Sequence, residues 1–318
     1  MISDEPLGPS TCTSPLASSA PLDVRAMGTG PDVRPRILVS GSTGTVGAEV
    51  VAELARRGEP VRAASRNPGL RGGTLDLVER VAFDFGRPDT FAAALAGVEV
   101  AFLVRPPALG RLSDLAPFLE AAVAAGVRHV VLLSVQGADK IPVLPHARVE
   151  RWLRDSPTVW TFLRPSFFDQ NLTGVHAPAI RALDEIVVPA GQGRTAFVDA
   201  VDVALAAAGI LAEPAPHAGR AYTLTGSEAL TYAEVAALLT EICGRPVRYR
   251  APGLLRYLVR ARTELDLPPA LVAATSVVYT TARLGLAAGR TDELARLLGR
   301  PPTTLREFVE RERASFLP

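Results

Sequence analysis

The chain has 318 residues and an almost even charge balance, with 34 lysines and arginines against 33 aspartates and glutamates. The formal net charge of +1 argues against direct nucleic-acid binding, because proteins held to nucleic acid by charge carry a basic surplus. Hydrophobic residues make up 48% of the chain, enough to bury a large core. Two cysteines, Cys12 and Cys243, provide neither a disulfide framework nor a zinc cluster. We therefore expect a cytoplasmic protein without a metal site or a membrane span.

Residues 1–35 are rich in Ser, Thr, Pro and Gly and lack apolar periodicity, which predicts a disordered tail. The early acidic residues Asp4 and Glu5 and the lack of an apolar core argue against a secretory signal. From Arg36 onward, short β-branched apolar runs alternate with longer helical patterns. This alternation indicates βαβ units and an α/β fold built on a parallel sheet.

The predicted strands are continuous apolar runs, as a sheet buried on both faces needs. These strands span residues 37–39, 61–64, 81–83, 100–104, 130–133 and 160–163. The predicted helices between them span residues 46–57, 115–125 and 147–154.

After Arg164 the pattern loosens. We predict a helix over 201–211, a strand over 221–224, a helix from Thr231 to Cys243 and a strand over 247–249. The rest is predicted to be mostly helical, and residues 271–286 have the composition of a buried or pocket-lining helix.

A glycine loop follows the first predicted strand and opens the first helix. Gly41, Gly44 and Gly47 recur at three-residue intervals, which suits a tight turn, close approach of a pyrophosphate and close packing of helix on strand. The helix N-terminus also attracts an anion. We therefore predict that the loop binds a dinucleotide through Gly41, Thr43, Gly44, Thr45, Val46 and Gly47.

The end of the second strand indicates which dinucleotide is bound. An acidic residue in this region would bind the ribose 2′-hydroxyl of NAD, but the chain has Ser65 and Arg66 instead. Arginine suits a 2′-phosphate, so NADP is the predicted cofactor.

Asp84 and Phe85 follow the third predicted strand, at a corner that often meets the adenine ring in such folds. Asp84 would accept from the adenine amino group and Phe85 would pack nearby. The alternative is that Asp84 caps the following turn.

These residues together resemble the NmrA-like branch of the atypical short-chain dehydrogenase/reductases, over about residues 36–315. The most telling segments are SVQGA at 134–138, LRPSFFDQNL at 163–172, FVDAVDVA at 197–204 and YTLTG at 222–226. The resemblance implies a Rossmann-type doubly wound parallel sheet over 36–165, with 196–212 returning to it. It also implies a smaller C-terminal α/β substrate-binding subdomain, formed by 166–195 and 213–318, and NADPH as the usual cofactor.

The chain departs from the enzyme pattern of this resemblance at the proton donor. Typical enzymes have a serine and then Tyr-x-x-x-Lys about a dozen residues later, and this chain has no Tyr-x-x-x-Lys. Ser134 stands at the serine position, His146 near the tyrosine and Glu150 near the lysine. Histidine can exchange a proton near neutrality, so His146 is a candidate acid. Glu150 would orient it or accept from a ribose hydroxyl; the alternative is that both residues are structural.

The substrate is expected beyond the carboxyl ends of the strands. Arg105 and Pro165 are expected to contact the cofactor there. The alternatives for Arg105 are contact with an anionic substrate or a side chain that only points to solvent. The substrate candidates are Gln136, Gly137, Phe167, Phe168 and Asn171, with His176 and Tyr279 as weaker ones. Their character predicts a mostly apolar small molecule.

The main interpretation is an NADPH-dependent reductase of secondary metabolism that works as a monomer or homodimer. A second hypothesis is a redox sensor that binds NADP without turnover and acts through a protein partner. A third is a cofactor-dependent isomerase or cyclase, which net NADPH consumption would exclude.

Overall fold

The structure is a computed structural model that describes Met1 and residues 36–69, 77–106, 109–263 and 269–318. Apart from Met1, the predicted tail over 1–35 lies outside the described residues. By their contacts, residues 34–318 form one compact unit. The boundary between a dinucleotide domain and a substrate-binding subdomain therefore stays a prediction.

The centre of the molecule is a seven-stranded parallel sheet, and this confirms the predicted doubly wound α/β architecture. Its strands are β1 (Ile37–Ser40), β2 (Val61–Ser65), β3 (Val78–Ala82), β4 (Val100–Val104), β5 (His129–Leu133), β6 (Val159–Pro165) and, after two short strands described below, β9 (Arg220–Leu224). The order across the sheet is β3-β2-β1-β4-β5-β6-β9. The order reverses beside β1, and ligands of such sheets bind at that point.

Helices cover both faces of the sheet. The helices of this part are α1 (Thr45–Arg56), α2 (Phe91–Leu95), α3 (Ala116–Ala124), α4 (Pro145–Asp155), α7 (Ala200–Ala212) and α11 (Glu293–Leu298). Val50 of α1 and Val203 of α7 are buried in one apolar core with β1. Phe118 of α3 and Leu153 of α4 are buried in a second core on the other face.

A third apolar core lies in the C-terminal region. Its elements are α5 (Gln170–Thr173), α6 (Ala177–Leu183), β7 (Glu185–Val187), β8 (Arg194–Thr195), β10 (Leu230–Thr231), α8 (Tyr232–Cys243), β11 (Arg248–Arg250), α9 (Leu254–Thr263), α10 (Pro269–Arg283) and α12 (Leu305–Arg311). Two small ribbons, β7 with β11 and β8 with β10, complete it. Short 3-10 turns span 88–90, 112–114, 215–217 and 313–316.

The predicted elements differ from the observed ones mainly where a strand is short or exposed. The third strand was predicted over 81–83, but it runs over Val78–Ala82. It is the edge strand, and its polar residues Glu79 and Arg80 are exposed. The sequence therefore has no continuous apolar run from which the bounds of this strand could be predicted. The helix predicted from Thr231 to Cys243 is observed as α8. A capping box opens it, in which the Thr231 hydroxyl accepts from the Glu234 N–H. No helix in the described part of the chain is long and apolar enough to cross a membrane.

Candidate functional site

The glycine loop joins β1 to α1 in a tight turn. Gly41 has a φ of +63°, a conformation that favours glycine, and its carbonyl oxygen accepts from the Gly44 N–H at 2.9 Å. A Cβ on Gly47 would lie 2.3 Å from that oxygen, so only glycine fits there. Gly44 caps α1 without a side-chain hydrogen bond, which leaves the first N–H groups of the helix open to an anion.

A cavity of about 420 Å³ opens beside this loop, and we call it the loop cavity. Its wall contains eight of the predicted cofactor residues: Gly41, Thr43, Gly44, Ser65, Arg66, Asp84, Phe85 and Arg105. The other wall residues are Ala64, Phe83, Val104, Pro106 and Leu109. Thr45, Val46 and Gly47 form the first turn of α1 instead.

Arg66 is exposed at the end of β2 and pairs with no carboxylate among the described residues. Ser65 beside it is buried. Asp84 lines the loop cavity, but its Oδ1 also accepts from the Gly86 N–H at 2.9 Å. The turn-capping alternative for Asp84 is therefore present in the structure. Phe85 packs edge-on against Phe83, with ring centroids 4.7 Å apart.

A second cavity of about 340 Å³ lies at the carboxyl ends of β4, β5 and β6, and we call it the strand-end cavity. The predicted residues in its wall are Arg105, Ser134, Gln136, His146, Pro165, Phe167, Phe168 and Asn171. The remaining wall residues are Val104, Leu133, Val135, Ser166, Thr195, Thr275, Val278, Thr281, Ala282 and Ala287. Val104 and Arg105 line both cavities, so the two meet at the end of β4.

Some of the predicted substrate residues lie elsewhere. Gly137 is absent from the cavity wall, and its carbonyl oxygen instead accepts from Lys140 and Ile141 in a turn. His176 and Tyr279 are buried behind the wall, where the Tyr279 hydroxyl lies 3.0 Å from His176 Nε2. Burial lowers the pKa of His176 to about 4, so its ring is neutral.

Glu150 has other partners than the expected ones. The carboxylate is fully buried, and its Oε1 accepts from Ser134 Oγ at 2.6 Å and from Arg164 Nε at 2.9 Å. Its Oε2 accepts from an Arg164 Nη at 2.6 Å and an Arg154 Nη at 3.1 Å. The expectation that Glu150 orients His146 or accepts from a ribose is therefore wrong. Helix α4 presents this position to β6, where Arg164 binds it.

Arg164 completes this buried group. Burial alone would lower the pKa of its guanidinium, but the hydrogen bonds and negative charge of Glu150 raise the pKa. Because the hydroxyl proton of Ser134 is committed to Glu150, Ser134 offers lone pairs rather than a proton to the cavity. Sequence reasoning missed Arg164, although a charged residue that ends an apolar strand signals a buried partner.

His146 lies at the start of α4, and its Nε2 accepts from Arg105 Nε at 3.4 Å. Burial, and then the charge of Arg105, lower the pKa of His146 to about 3. The imidazole is therefore held in its neutral form. Burial beside a cation disfavours the predicted role of His146 as the acid and favours the structural alternative.

The wall of the strand-end cavity is also built from distant parts of the chain. The predicted pocket-lining helix, observed as α10, contributes Thr275, Val278, Thr281 and Ala282. Thr195 of β8 and Ala287 were not predicted. Neither residue has a chemical motif of its own, so no local signal identifies it.

Residues 34–309 match the NmrA-like family. The chain is 38% identical over 288 residues to the NAD(P)H azoreductase of Xenophilus azovorans, which covers 88% of this chain and 99% of that protein. It is 35% identical over 292 residues to a (4-alkanoyl-5-oxo-2,5-dihydrofuran-3-yl)methyl phosphate reductase of Streptomyces griseus. The match covers 89% of this chain and 99% of that protein. The NADPH-complexed structure of an NADPH-dependent quinone oxidoreductase from Escherichia coli superposes with a TM-score of 0.78 at 29% identity. The superposition covers 86% of this chain and 99% of that chain.

The class defined by the sheet and the glycine loop is an NAD(P)-binding Rossmann-like fold. Within that class, this chain belongs to the NmrA-like family. The family resemblance drawn from the sequence motifs is thereby confirmed.

Proposed function

We propose that this protein, an NADP-dependent oxidoreductase, transfers hydride from NADPH to a small, largely apolar acceptor with a carbonyl, quinone, imine or other unsaturated group. The observation that carries the proposal is the meeting of the two cavities at Val104 and Arg105. One cavity holds the glycine loop and Arg66, and the other has mostly apolar walls. The names of the azoreductase, the furanone reductase and the quinone oxidoreductase support the same reaction class.

The residues of the loop cavity fit NADP(H). The uncapped N-terminus of α1 and the close turn at Gly41 suit the pyrophosphate. Arg66 is exposed and without a carboxylate partner in the described structure, so its guanidinium is available for the 2′-phosphate. Bound NADPH supplies the hydride. We propose that Arg105, Pro165 and Ser134 contact the end of the cofactor that reaches the strand-end cavity.

The polar residues at the junction would orient ligands rather than protonate them. Ser134 would accept a hydrogen bond from an N–H or O–H group of a ligand, and Glu150 with Arg164 would position it. Neutral His146 would hold the guanidinium of Arg105. Since neither Ser134 nor His146 is arranged as an acid, solvent would protonate the product. This arrangement favours acceptors that need little acid assistance, such as quinones, iminium ions and conjugated enones.

The same lack of an acid also suits a redox sensor that binds NADP without turnover. We propose the reductase over the sensor because the strand-end cavity offers room for a substrate beside the cofactor site. A cytoplasmic location, a monomeric or homodimeric state and a place in secondary metabolism belong to the same proposal.

The experiment is calorimetric titration with NADPH and NADH, followed by NADPH oxidation at 340 nm with quinones, enones, imines and azo compounds. Two variants would be tested in parallel. Arg66→Ala changes the wall of the loop cavity, where NADPH would bind, and Phe168→Ala changes the wall of the strand-end cavity, where the acceptor would bind. We expect NADPH binding and turnover of at least one acceptor class. Binding without turnover of any acceptor would favour the sensor. Product formation without net NADPH consumption would favour an isomerase, and no NADPH binding would refute all of these.

A further inference from the structure

The large apolar side chains that are exposed on the described part of the chain are concentrated in one region. Ten such residues are exposed, and six of them lie between residues 254 and 286. These six, which we call the apolar rim, are Leu254, Leu255, Val259, Val278, Leu284 and Leu286. Single exposed apolar residues are ordinary on a protein surface, but a concentration of them marks a surface that binds something.

The fold brings the residues of the apolar rim together. The first three belong to α9, and the others belong to α10 and the turn that follows it. A connection of only five residues joins the two helices, so they run antiparallel. The Tyr257 hydroxyl lies 2.9 Å from Thr275 Oγ1, and its ring centroid is 5.7 Å from that of Tyr279. The start of α9 therefore lies beside the last turns of α10, and the exposed residues at these two ends are neighbours.

Helix α9 has the side-chain pattern of a helix that lies on a surface. Tyr257 is buried and attaches the inner side of the helix to the C-terminal core. Leu255 and Val259 are 80% and 63% exposed, and because they are one turn apart they form a ridge on the outer side. By helical spacing, the exposed Arg256 and Arg262 lie on opposite flanks of this ridge. An apolar ridge between basic flanks is typical of helices that lie in a membrane interface.

The charge around the apolar rim is one-sided. Residues 245–290 contain eight arginines and two acidic residues, Glu264 and Asp266, and the latter two lie outside the described residues. The formal charge of this segment is therefore +6, although the whole chain carries only +1. The basic charge of the protein is thus concentrated where its apolar side chains are exposed.

Some of these arginines have partners within the protein and others do not. Arg245 and Arg250 pair with carboxylates of neighbouring elements. Arg256 and Arg283 are exposed, and neither pairs with a carboxylate in the described structure. Each of the latter two is next to a residue of the apolar rim in the sequence. Their charges are therefore available to an anionic partner that also contacts the rim.

A lipid surface fits these features better than the other partners do. A nucleic acid would bind the arginines but leave the apolar rim in water. A second copy of the chain would cover the rim, but the symmetric contact would bring arginines against arginines. An anionic bilayer satisfies both, because leucine and valine enter the headgroup boundary while arginine binds the lipid phosphates.

We propose that the apolar rim and the arginines beside it bind the surface of an anionic lipid bilayer. The two helices would lie in the interface without crossing it. Val278 is exposed and also lines the strand-end cavity, so the rim extends to that cavity. An apolar acceptor dissolved in the bilayer would then lie close to the cavity. This consequence for the acceptor rests on the proposed function, whereas the surface binding does not.

Co-sedimentation of the full chain with lipid vesicles tests the proposal. One set of vesicles would contain phosphatidylcholine alone, and the other would contain equal parts of phosphatidylcholine and phosphatidylglycerol. We expect binding to the mixed vesicles and weaker binding to the phosphatidylcholine vesicles. High salt should reduce the difference between the two, because it screens the attraction between arginine and the anionic lipid.

Two variants, each with a matched control, locate the binding surface. Val259→Glu should weaken binding by about tenfold or more, because a valine leaves the interface and a negative charge enters it. Val159→Glu makes the same change at an exposed valine at the amino end of β6, away from the cavity, and should bind as the wild type does. Arg256→Gln should weaken binding to the mixed vesicles by about fivefold. Arg151→Gln, at an exposed arginine of α4, should not.

The thermal midpoint of each variant in solution should equal that of the wild type, because the substituted side chains are exposed. Absence of wild-type binding to the mixed vesicles would overturn the proposal, and so would equal losses in the variants and their controls. If the wild type instead forms a dimer that Val259→Glu dissociates, and binds no vesicles, the rim covers a second copy and the proposal is refuted. Because no turnover is measured, a failed reductase assay would refute the proposed function and still leave this test readable.

Discussion

The buried contact between Glu150 and Arg164 yields the sharpest prediction about stability. Glu150 is fully buried and Arg164 is almost fully buried, and they share hydrogen bonds of 2.9 and 2.6 Å. Glu150→Ala would leave the guanidinium buried without its main counter-ion, a loss that typically costs about 3–5 kcal/mol. Asp139, half exposed with its Oδ2 at 3.4 Å from Arg164, compensates in part. We therefore expect a decrease of about 3 kcal/mol in the free energy of unfolding.

The assay is urea unfolding at neutral pH, read as the midpoint and slope of the transition. Glu150→Gln keeps an acceptor for Ser134 and should lose less than Glu150→Ala. Glu241→Ala, which breaks an exposed ion pair with Arg306, serves as the matched control and should not change the midpoint measurably. A loss below about 1 kcal/mol for Glu150→Ala would refute the assignment of Glu150 as the counter-ion of Arg164.

Three further predictions concern the cofactor and the pH response. Arg66→Ala should weaken NADPH binding about ten- to a hundredfold and leave NADH binding unchanged in calorimetry, because only NADPH carries the 2′-phosphate; equal losses would contradict this. Gly47→Ala should abolish NADPH binding, since its Cβ would lie 2.3 Å from the Gly41 oxygen, whereas Gly209→Ala in α7, with no contact closer than 3.8 Å, should bind normally. The pKa of His176 is lowered to about 4, so the stability it contributes is present above pH 6.5 and is lost as the pH falls toward 4. The thermal midpoint should therefore decrease as the pH is lowered from 7 to 5, and this decrease should be smaller in His176→Phe. An unaltered pH dependence in the variant would contradict the role of His176.

The glycine loop shows how far the sequence alone reaches. Gly41, Gly44 and Gly47 specify the turn locally, through a positive φ and a close contact within seven residues. The alternation of apolar runs and helical patterns predicted the strands buried on both faces, and it failed at the exposed edge strand β3. Where the signal is local, in backbone conformation or in apolar periodicity, it can be read without the structure.

The protonation and pairing of the site depend on contacts between distant residues. The position of His146 in the sequence made it a candidate proton donor. Its burial beside Arg105, 41 residues away in the chain, is what makes the imidazole neutral. The helical spacing predicted that Glu150 interacts with His146. The packing of α4 on β6 instead places its carboxylate in hydrogen-bond contact with Arg164.

By itself, the sequence determined the parallel α/β fold, the dinucleotide loop and the family. The tertiary structure decided which polar groups are paired and which, like the hydroxyls of Thr195 and Ser166, are buried without a partner. The physical reason is that burial and hydrogen-bond partners set both pKa and availability, and these are fixed only when β8, α10 and the ends of β4 to β6 come together around one cavity.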